Sequence, residues 1–228
     1  MERRLLFSAG AAMSDFLSRL AADPLATLRP LLLASPPDEI FQDDLHHRGP
    51  GAAAVEAAVL VPLIARAEPS LLFTRRTDTL SRHSGQVSFP GGRRDPTDLS
   101  AVETALRETM EETGIDPAFV GVAGFLPRYR IGTGFDILPV VGVVAEGFAL
   151  APDPREVAEI FEVPLSFFLD PANRSLEERE LGGRSRHVHI FHAQPHRIWG
   201  ATAAIVHQLM GRLTGEAAAA KQGISQTP

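Results

Sequence analysis

The sequence predicts an α+β protein, arranged as an α/β/α sandwich, in one domain with extensions. Its 228 residues suit one domain or at most two small ones. Candidate strands and helices are mixed along the chain, without the regular strand–helix alternation of a doubly wound sheet. Hydrophobic residues make up 44% and charged residues 22%, as in ordinary globular proteins, so the chain can bury a sizeable core.

Composition excludes several classes of function. The net charge of −6 argues against non-specific binding to nucleic acid or to anionic membranes. With no cysteine, the chain has no disulfide, no thiolate nucleophile and no cysteine-based zinc site. No apolar run reaches the roughly 18 residues of a membrane span, and the start lacks a signal-peptide pattern. We therefore expect a cytoplasmic protein without nucleic-acid or membrane partners; its oligomeric state stays open, with a homodimer as one option.

The first 52 residues predict a helical arm and a linker. Asp15–Leu33 has helical spacing of apolar residues, interrupted by Pro24 and Pro30. We expect this arm to pack over the core of the main domain, which we place at residues 53–213, rather than to form a separate domain.

The sequence of the main domain predicts several short strands and two further helical segments. The segments predicted as strands are Ala57–Arg66, Ser70–Arg76, Gln86–Phe89, Val120–Arg130, Ile137–Val144, Ala158–Val163 and His187–His192. Leu165–Leu169 predicts a helical turn and Trp199–Leu213 a helix. Residues 214–228 lack an apolar stripe and predict a disordered tail.

The stretch Pro90–Ile115 organises the rest of the chain. Its opening Pro-Gly-Gly predicts the end of a strand. A helix is predicted over Leu99–Thr113, with Asp98 or Ser100 as its N-terminal cap and Gly114 as its C-terminal cap; Glu103 can complete a capping box from Ser100.

This helix has two faces at roughly 100° per residue. Leu99, Val102, Leu106 and Met110 share one face, which we expect to pack on the core. The opposite face brings together three carboxylates, those of Glu108, Glu111 and Glu112. Like charges at this spacing repel, and a hard divalent cation such as Mg²⁺ or Mn²⁺ would remove the repulsion. Taken alone, this acidic face favours a solvated surface helix over a metal site.

The surrounding residues favour the metal interpretation, because the stretch resembles the Nudix box, G-x5-E-x7-R-E-U-x-E-E-x-G-U, where U is a bulky apolar residue. The matching residues are Arg107, Glu108, Glu111, Glu112, Gly114 and Ile115. The resemblance implies a mixed sheet between helices and a metal-dependent pyrophosphohydrolase. It also implies that Glu108, Glu111 and Glu112 hold Mg²⁺ or Mn²⁺, while Arg107 orients them by pairing with one of them or with the loop at Asp98.

The stretch departs from that pattern at three points. The spacing from Gly92 to Arg107 is one residue longer, Asp98 stands where the pattern has its first Glu, and Thr109 replaces an apolar residue.

A second motif precedes the box. Arg75, Arg76 and Arg82 cluster there with His83, and guanidinium groups suit phosphate because they are permanently charged bidentate donors. The stretch resembles the signature L-L-T-x-R-S-x3-R-x3-G-x3-F-P-G-G of the coenzyme A diphosphatase branch of Nudix hydrolases. The residues that fit are Thr74, Arg76, Gly85, Phe89, Pro90, Gly91 and Gly92, whereas the second Arg of the signature falls on Ser81.

This resemblance implies a substrate and a set of binding residues. The substrate would be coenzyme A or acyl-CoA, split into 3′,5′-ADP and (acyl-)4′-phosphopantetheine. The residues expected to bind it are Arg75, Arg76, Arg82, His83, Gly85, Gly91 and Gly92. One alternative is a Nudix hydrolase of another nucleoside diphosphate derivative, such as NADH, ADP-ribose or a damaged nucleotide. Another is a non-catalytic nucleotide-binding module.

Other polar residues are weaker candidates. Glu156, Glu159 and Glu162 lie in one acidic segment, and one of them could serve as a general base. Thr133, Gly134 and Phe135 could contact the substrate. The four histidines His187, His189, His192 and His196 lack an acidic residue or cysteine at zinc-site spacing, so we favour surface or hydrogen-bonded roles for them.

Overall fold

The computed structural model describes residues 2–38, 40–41, 54–78, 85–131, 134–181 and 184–215. Several sequence predictions fall outside these ranges: most of the linker, the substrate-binding roles of Arg82 and His83, the contact at Thr133, and the tail from residue 216.

Strands and helices are mixed along the chain, as the sequence predicts. The strands of the described ranges are β1 (Ile40–Phe41), β2 (Val55–Ile64), β3 (Ser70–Arg76), β4 (Val87–Ser88), β5 (Gly91–Arg93), β6 (Val120–Phe125), β7 (Arg128–Arg130), β8 (Phe135–Val144), β9 (Val157–Pro164), β10 (Arg174–Leu181), β11 (Arg184–Phe191) and β12 (Ile198–Trp199). The helices there are α1 (Glu2–Ala22), α2 (Pro24–Leu28), α3 (Ala101–Thr113), α4 (Leu165–Leu169) and α5 (Gly200–Leu213).

The large sheet is mixed and is centred on β2 and β8. These two strands run parallel along their whole lengths, from the pair Val55–Phe135 to the pair Ile64–Val144. Their apolar runs are nearly continuous, as expected where both faces of a sheet are covered. The antiparallel neighbours are β3 and β5 on β2, β6 and β7 on β8, and β4 and β9 on β3. The strands β10, β11 and β12 form a separate small antiparallel sheet.

Helices cover both faces of the large sheet, which confirms the predicted sandwich. On one face, α1, α2 and α5 bury Leu20, Leu28 and Leu209 in the larger core cluster. On the other face, α3 packs Ala105 against Ala58 and Leu138. None of these helices is long and apolar enough to cross a membrane within the described ranges. The division into arm, domain and tail stays a prediction.

The ends of α3 are formed by the predicted capping residues. Ser100 Oγ accepts a hydrogen bond from Glu103 N at 3.2 Å, and Glu103 Oε2 accepts one from Leu99 N at 2.7 Å. Gly114 ends the helix at a φ of +79°, and its N–H donates to Met110 O at 2.9 Å. A left-handed residue is needed there, and glycine takes that conformation at no steric cost.

The prediction of which α3 residues are buried is wrong at both ends of the helix. Val102 and Leu106 pack against the core, but Leu99 is 84% and Met110 48% exposed. The buried residues are Thr104, Ala105, Thr109, Glu112 and Thr113. Small side chains let the helix lie close to the sheet. The hydroxyls of Thr109 and Thr113 can be buried because each donates to the carbonyl four residues earlier, at 2.6 Å.

Two strand predictions also differ from the structure. The predicted strand Val120–Arg130 is interrupted at Leu126–Pro127, and its two parts, β6 and β7, pair with different halves of β8. Proline has no N–H to donate to a strand neighbour, so it marks this break. The strand β10 was not predicted, because its sequence RSLEEREL is largely polar and lacks an apolar face.

Substitutions on α3 test which face is buried. We expect Leu99→Ala and Met110→Ala each to change the free energy of unfolding by less than about 0.5 kcal/mol, as exposed sites do. Ala105→Leu should destabilise by about 1–3 kcal/mol, because it adds atoms to a packed contact. Urea denaturation measures all three, and a larger loss at Leu99 than at Ala105 would contradict the observed orientation.

Candidate active site

The two glycines of β5 bring the strand against β2 and the box helix. Gly91 has a φ of +150°, and a Cβ there would lie 2.4 Å from Ala58 O. A Cβ on Gly92 would lie 2.4 Å from both Cδ and Oε2 of Glu108. At Gly91 only glycine fits, whereas a Cβ at Gly92 would displace the Glu108 carboxylate, so this strand sets the space in which that carboxylate lies.

Arg107 is anchored by a two-pronged ion pair with Asp98. Arg107 Nε donates to Asp98 Oδ1 at 3.0 Å, and Nη2 donates to Oδ2 at 2.9 Å. Asp98 is buried and also accepts hydrogen bonds from Asp95 N and Thr104 Oγ1, both at 2.9 Å. The Arg107 guanidinium is the main reason that the pKa of Asp98 lies well below its usual range. Asp98 therefore makes the predicted contact with Arg107, although it departs from the box pattern.

The remaining donors of Arg107 reach the helix carboxylates. Its Nη1 donates to Glu108 Oε1 at 3.0 Å and to Glu111 Oε2 at 3.2 Å. Burial raises the pKa of Glu108, while Arg107 opposes that shift. Glu111 is largely exposed. One guanidinium thus links the loop before the helix to two of the three carboxylates.

Glu112 is the most buried of the three carboxylates. Its residue is 5% exposed, and burial raises its pKa to about 7. Gly91 N donates to Glu112 Oε2 at 3.2 Å, and Arg76 Nη1 lies 3.8 Å from Oε1. These contacts only partly offset the cost of burial, so the ionised form would gain from a further positive charge.

The donor set fits a hard divalent cation. All three residues offer carboxylate oxygens; Glu112 is buried and Glu108 half-buried, and both have raised pKa values. Among the described residues, however, no three acidic or histidine side chains already converge on one point. Glu108 and Glu111 instead contact Arg107, and Glu112 contacts Gly91. Coordination of one ion by all three would therefore require these side chains to move towards one another.

The upstream arginines diverge from each other. The pairing of β3 with β9 shifts its register between Arg75 and Arg76. Arg76 reaches Glu112, whereas Arg75 Nε donates to Glu159 Oε2 at 3.4 Å. Gly85 has a φ of +68°, and a Cβ there would lie 2.9 Å from Asp78 Oδ1. The structure thus places Arg76 beside the box carboxylates and Arg75 in a separate ion-pair cluster.

The three candidate general bases have different surroundings. The negative charge of Glu156 contributes to the raised pKa values of Glu108 and Glu112, so Glu156 influences the carboxylate site electrostatically. Glu159 contacts Arg75 and His196, and Glu162 bonds to Arg66 and Ser70. Sequence reasoning did not find the contact between His196 and Glu159, and no motif signals it, because it joins residues far apart in the chain.

Comparison with known proteins identifies the family. Residues 55–181 match the NUDIX domain, which is more than half of the 228-residue chain. The chain belongs to the Nudix family. It is 39% identical to an uncharacterized Nudix hydrolase named NudL from Photorhabdus laumondii, over 87% of this chain and 96% of that protein. The NudL of Pectobacterium atrosepticum is 45% identical, over 68% and 80%, and that of Escherichia coli K12 36% identical, over 86% and 92%.

Family membership establishes the class of chemistry. This Nudix protein is a hydrolase that acts on phosphoric anhydrides, in the family's α+β fold. Nudix hydrolases act on nucleoside diphosphate derivatives and generally use divalent cations. The names of the relatives do not state a substrate.

A methyl group at Gly92 should impair this Nudix site without unfolding the protein. In Gly92→Ala, the added Cβ displaces the Glu108 carboxylate, and we expect kcat/KM to fall by about 100-fold, as misplacement of a catalytic group by about 1 Å can do. Gly200→Ala is the control for backbone strain without a steric contact, because Gly200 is a left-handed residue at which a Cβ has no neighbour within 4 Å. Wild-type turnover of Gly92→Ala would show that the position of Glu108 is not critical.

Burial of Glu112 should make the stability of the metal-free protein depend on pH. Between the ordinary pKa of 4.5 and about 7, Glu112 is protonated in the folded state and ionised in the unfolded state. Unfolding then releases a proton, so the free energy of unfolding falls as pH rises, by up to about 1.4 kcal/mol per pH unit.

Glu112→Gln should remove this contribution, whereas Glu103→Gln on the same helix should retain it. Urea denaturation in chelator across pH 4.5–7 gives the slope for each protein. Equal slopes for wild type and Glu112→Gln would show that Glu112 titrates normally.

Proposed function

We propose that this Nudix hydrolase cleaves the diphosphate of coenzyme A or acyl-CoA to 3′,5′-ADP and (acyl-)4′-phosphopantetheine. The observation that carries the proposal is the contact between the two motifs: Arg76 of the upstream signature lies 3.8 Å from Glu112 of the box. The upstream signature resembles the coenzyme A branch, and this contact puts one of its arginines where a diphosphate bound at the carboxylates would lie. The cytoplasmic location stays a prediction from the sequence.

We assign the metal to Glu108, Glu111 and Glu112, and Mg²⁺ or Mn²⁺ is the ion that their oxygens suit. When bound, such an ion neutralises charge on the diphosphate and lowers the pKa of a coordinated water. Hydrolysis then replaces the bond between one phosphorus and the bridging oxygen with a bond to the water oxygen.

The arginines would hold the substrate and the carboxylates. The Arg76 side chain is 27% exposed, so its guanidinium can donate to a phosphate oxygen, although its Nε is buried. Arg107, fixed by Asp98, would orient Glu108 and Glu111 before the ion binds. We assign Arg75, Arg82, His83, Gly85, Gly91 and Gly92 to the same substrate site.

Glu156 is the acidic residue best placed to accept a proton from the attacking water. It influences Glu108 and Glu112 electrostatically and is exposed, whereas Glu159 and Glu162 have other partners. Its carboxylate oxygens can therefore reach a water at the site without breaking an ion pair seen in the structure.

Turnover of coenzyme A tests the substrate assignment. With Mg²⁺ or Mn²⁺, we expect mass spectrometry to detect 3′,5′-ADP and 4′-phosphopantetheine, and we expect chelator to abolish their formation. NADH and ADP-ribose serve as comparison substrates. Cleavage of NADH or ADP-ribose without cleavage of coenzyme A would show that the protein is a hydrolase with a different substrate.

Titration with Mn²⁺ tests the metal assignment separately from turnover. Loss of groups around metal ligands costs about 10–100-fold in affinity, so Glu111→Gln, which loses ligand charge, should weaken Mn²⁺ binding at least that much. Glu103→Gln is the matched control, since Glu103 lies on the same helix and caps its start. Isothermal titration calorimetry measures both, and unchanged affinity in Glu111→Gln would remove that residue from the ligand set.

A further inference from the structure

Glu159 connects the upstream arginines to a loop near the end of the chain. Its Oε2 accepts a hydrogen bond from Arg75 Nε at 3.4 Å, and its Oε1 lies 3.3 Å from His196 Nε2. The two carboxylate oxygens therefore contact different partners. Glu159 acts as a bridge between a guanidinium on β3 and an imidazole that follows β11.

The His196 ring is held by packing as well as by this contact. It stacks on Phe161, with ring centroids 3.7 Å apart and planes inclined by 18°. Phe161 in turn stacks on Phe73, which is fully buried in the core. His196 N donates to Ala193 O at 2.7 Å, which closes a turn in the loop. The direction of Nε2 towards Glu159 is thus fixed from two sides.

Arg75 lies on β3 directly before Arg76 and has its own set of ion pairs. Its neighbour in sequence, Arg76, reaches Glu112, while Arg75 Nη1 lies 3.6 Å from Asp78 Oδ1. The Arg75 side chain is 31% exposed, so its guanidinium remains accessible to a ligand. Asp78 and Glu159 hold this guanidinium from two sides, one residue along the chain from the arginine that contacts the carboxylate helix.

We propose that His196 is a positioning residue that acts through Glu159 to set the guanidinium of Arg75 for the phosphates of the substrate. This inference rests on the proposed function, in which Arg75 binds substrate. His196 lies beyond residues 55–181, the range that matches the NUDIX domain. The C-terminal part of the chain would therefore contribute to substrate binding.

The effect of losing His196 follows from the chemistry of the bridge. Without the imidazole, Glu159 has one fewer partner and is free to rotate towards Arg75. A closer pair between Glu159 and Arg75 competes with phosphate for the same guanidinium donors. Ground-state binding weakens, whereas the carboxylates of the box helix are untouched, so KM rises and kcat stays nearly constant.

Two substitutions at His196 distinguish its contact with Glu159 from its packing on Phe161. His196→Phe keeps a ring against Phe161 but removes the nitrogen that faces Glu159, and it should raise KM for coenzyme A by about three- to tenfold. His196→Gln keeps an amide donor and should lie closer to wild type. The control is His192→Phe in the same loop, because His192 Nε2 is 2.7 Å from Ser175 Oγ and does not contact Glu159 in the structure. Thermal melting of each variant identifies any that misfold.

A double-mutant cycle tests whether His196 acts through Arg75. In an Arg75→Gln background, His196→Phe should cause no further rise in KM. Glu159→Gln gives a second test that leaves His196 in place: it removes the competing carboxylate, so His196→Phe should cause no rise in KM in that background. The proposal is overturned if His196→Phe leaves KM unchanged, or raises it equally with and without Arg75, or if Arg75→Gln binds substrate like wild type.

The same double-mutant cycle, measured by ADP binding, tests the role of His196 independently of whether coenzyme A is the substrate. Titration calorimetry with ADP in the presence of Mg²⁺ needs no turnover of coenzyme A. Coupling between His196 and Arg75 in ADP binding, without cleavage of coenzyme A, would keep the role of His196 and reject the substrate. Cleavage of coenzyme A without coupling in either measurement would keep the substrate and reject the role of His196.

Discussion

The ion pair between Arg107 and Asp98 determines how the rest of the site is arranged. Two parallel hydrogen bonds fix the guanidinium, and its remaining donors reach Glu108, Glu111 and the carbonyl of Arg93. Asp98 is buried, so removing Arg107 would leave its carboxylate without the partner that does most to keep it ionised, whereas Arg107 would keep Glu108 and Glu111 if Asp98 were removed. The loop after β5, the start of α3 and two catalytic candidates therefore depend on one side chain.

The buried carboxylates are costly to the metal-free fold. Glu112 lies against the sheet, and among the described residues only Gly91 N and Arg76 offset the cost of its burial. Such an arrangement is kept at functional sites, where a ligand supplies the missing interaction. Close approach of α3 to the sheet makes this burial possible, and that approach in turn needs the small residues Ala105 and Thr109 and the glycines of β5.

The site is assembled from distant parts of the chain. The box helix supplies the carboxylates, the end of β3 supplies Arg76, and the segment before β9 supplies Glu156. The loop after β11 reaches the neighbouring Arg75 through Glu159. The order of strands explains this, because β2 pairs with β3 and β5, while β3 also pairs with β9. Strands separated by many residues thus end close together at one edge of the sandwich.

The sequence by itself determined the fold class, the box helix with its caps, and the strands whose apolar runs are strong, including β3 with its observed bounds. Local signals suffice there, because capping, glycine conformation and apolar periodicity depend on nearby residues. The sequence did not determine which face of α3 is buried. Helical periodicity predicts that the most hydrophobic face is buried, whereas the close approach of α3 to the sheet favours small residues there. Only the tertiary structure decided that Glu112 is buried beneath Arg76, that Arg75 and Arg76 diverge, and that His196 meets Glu159. These contacts depend on strand pairing across the sheet, which brings distant residues together, so no local sequence pattern predicts them.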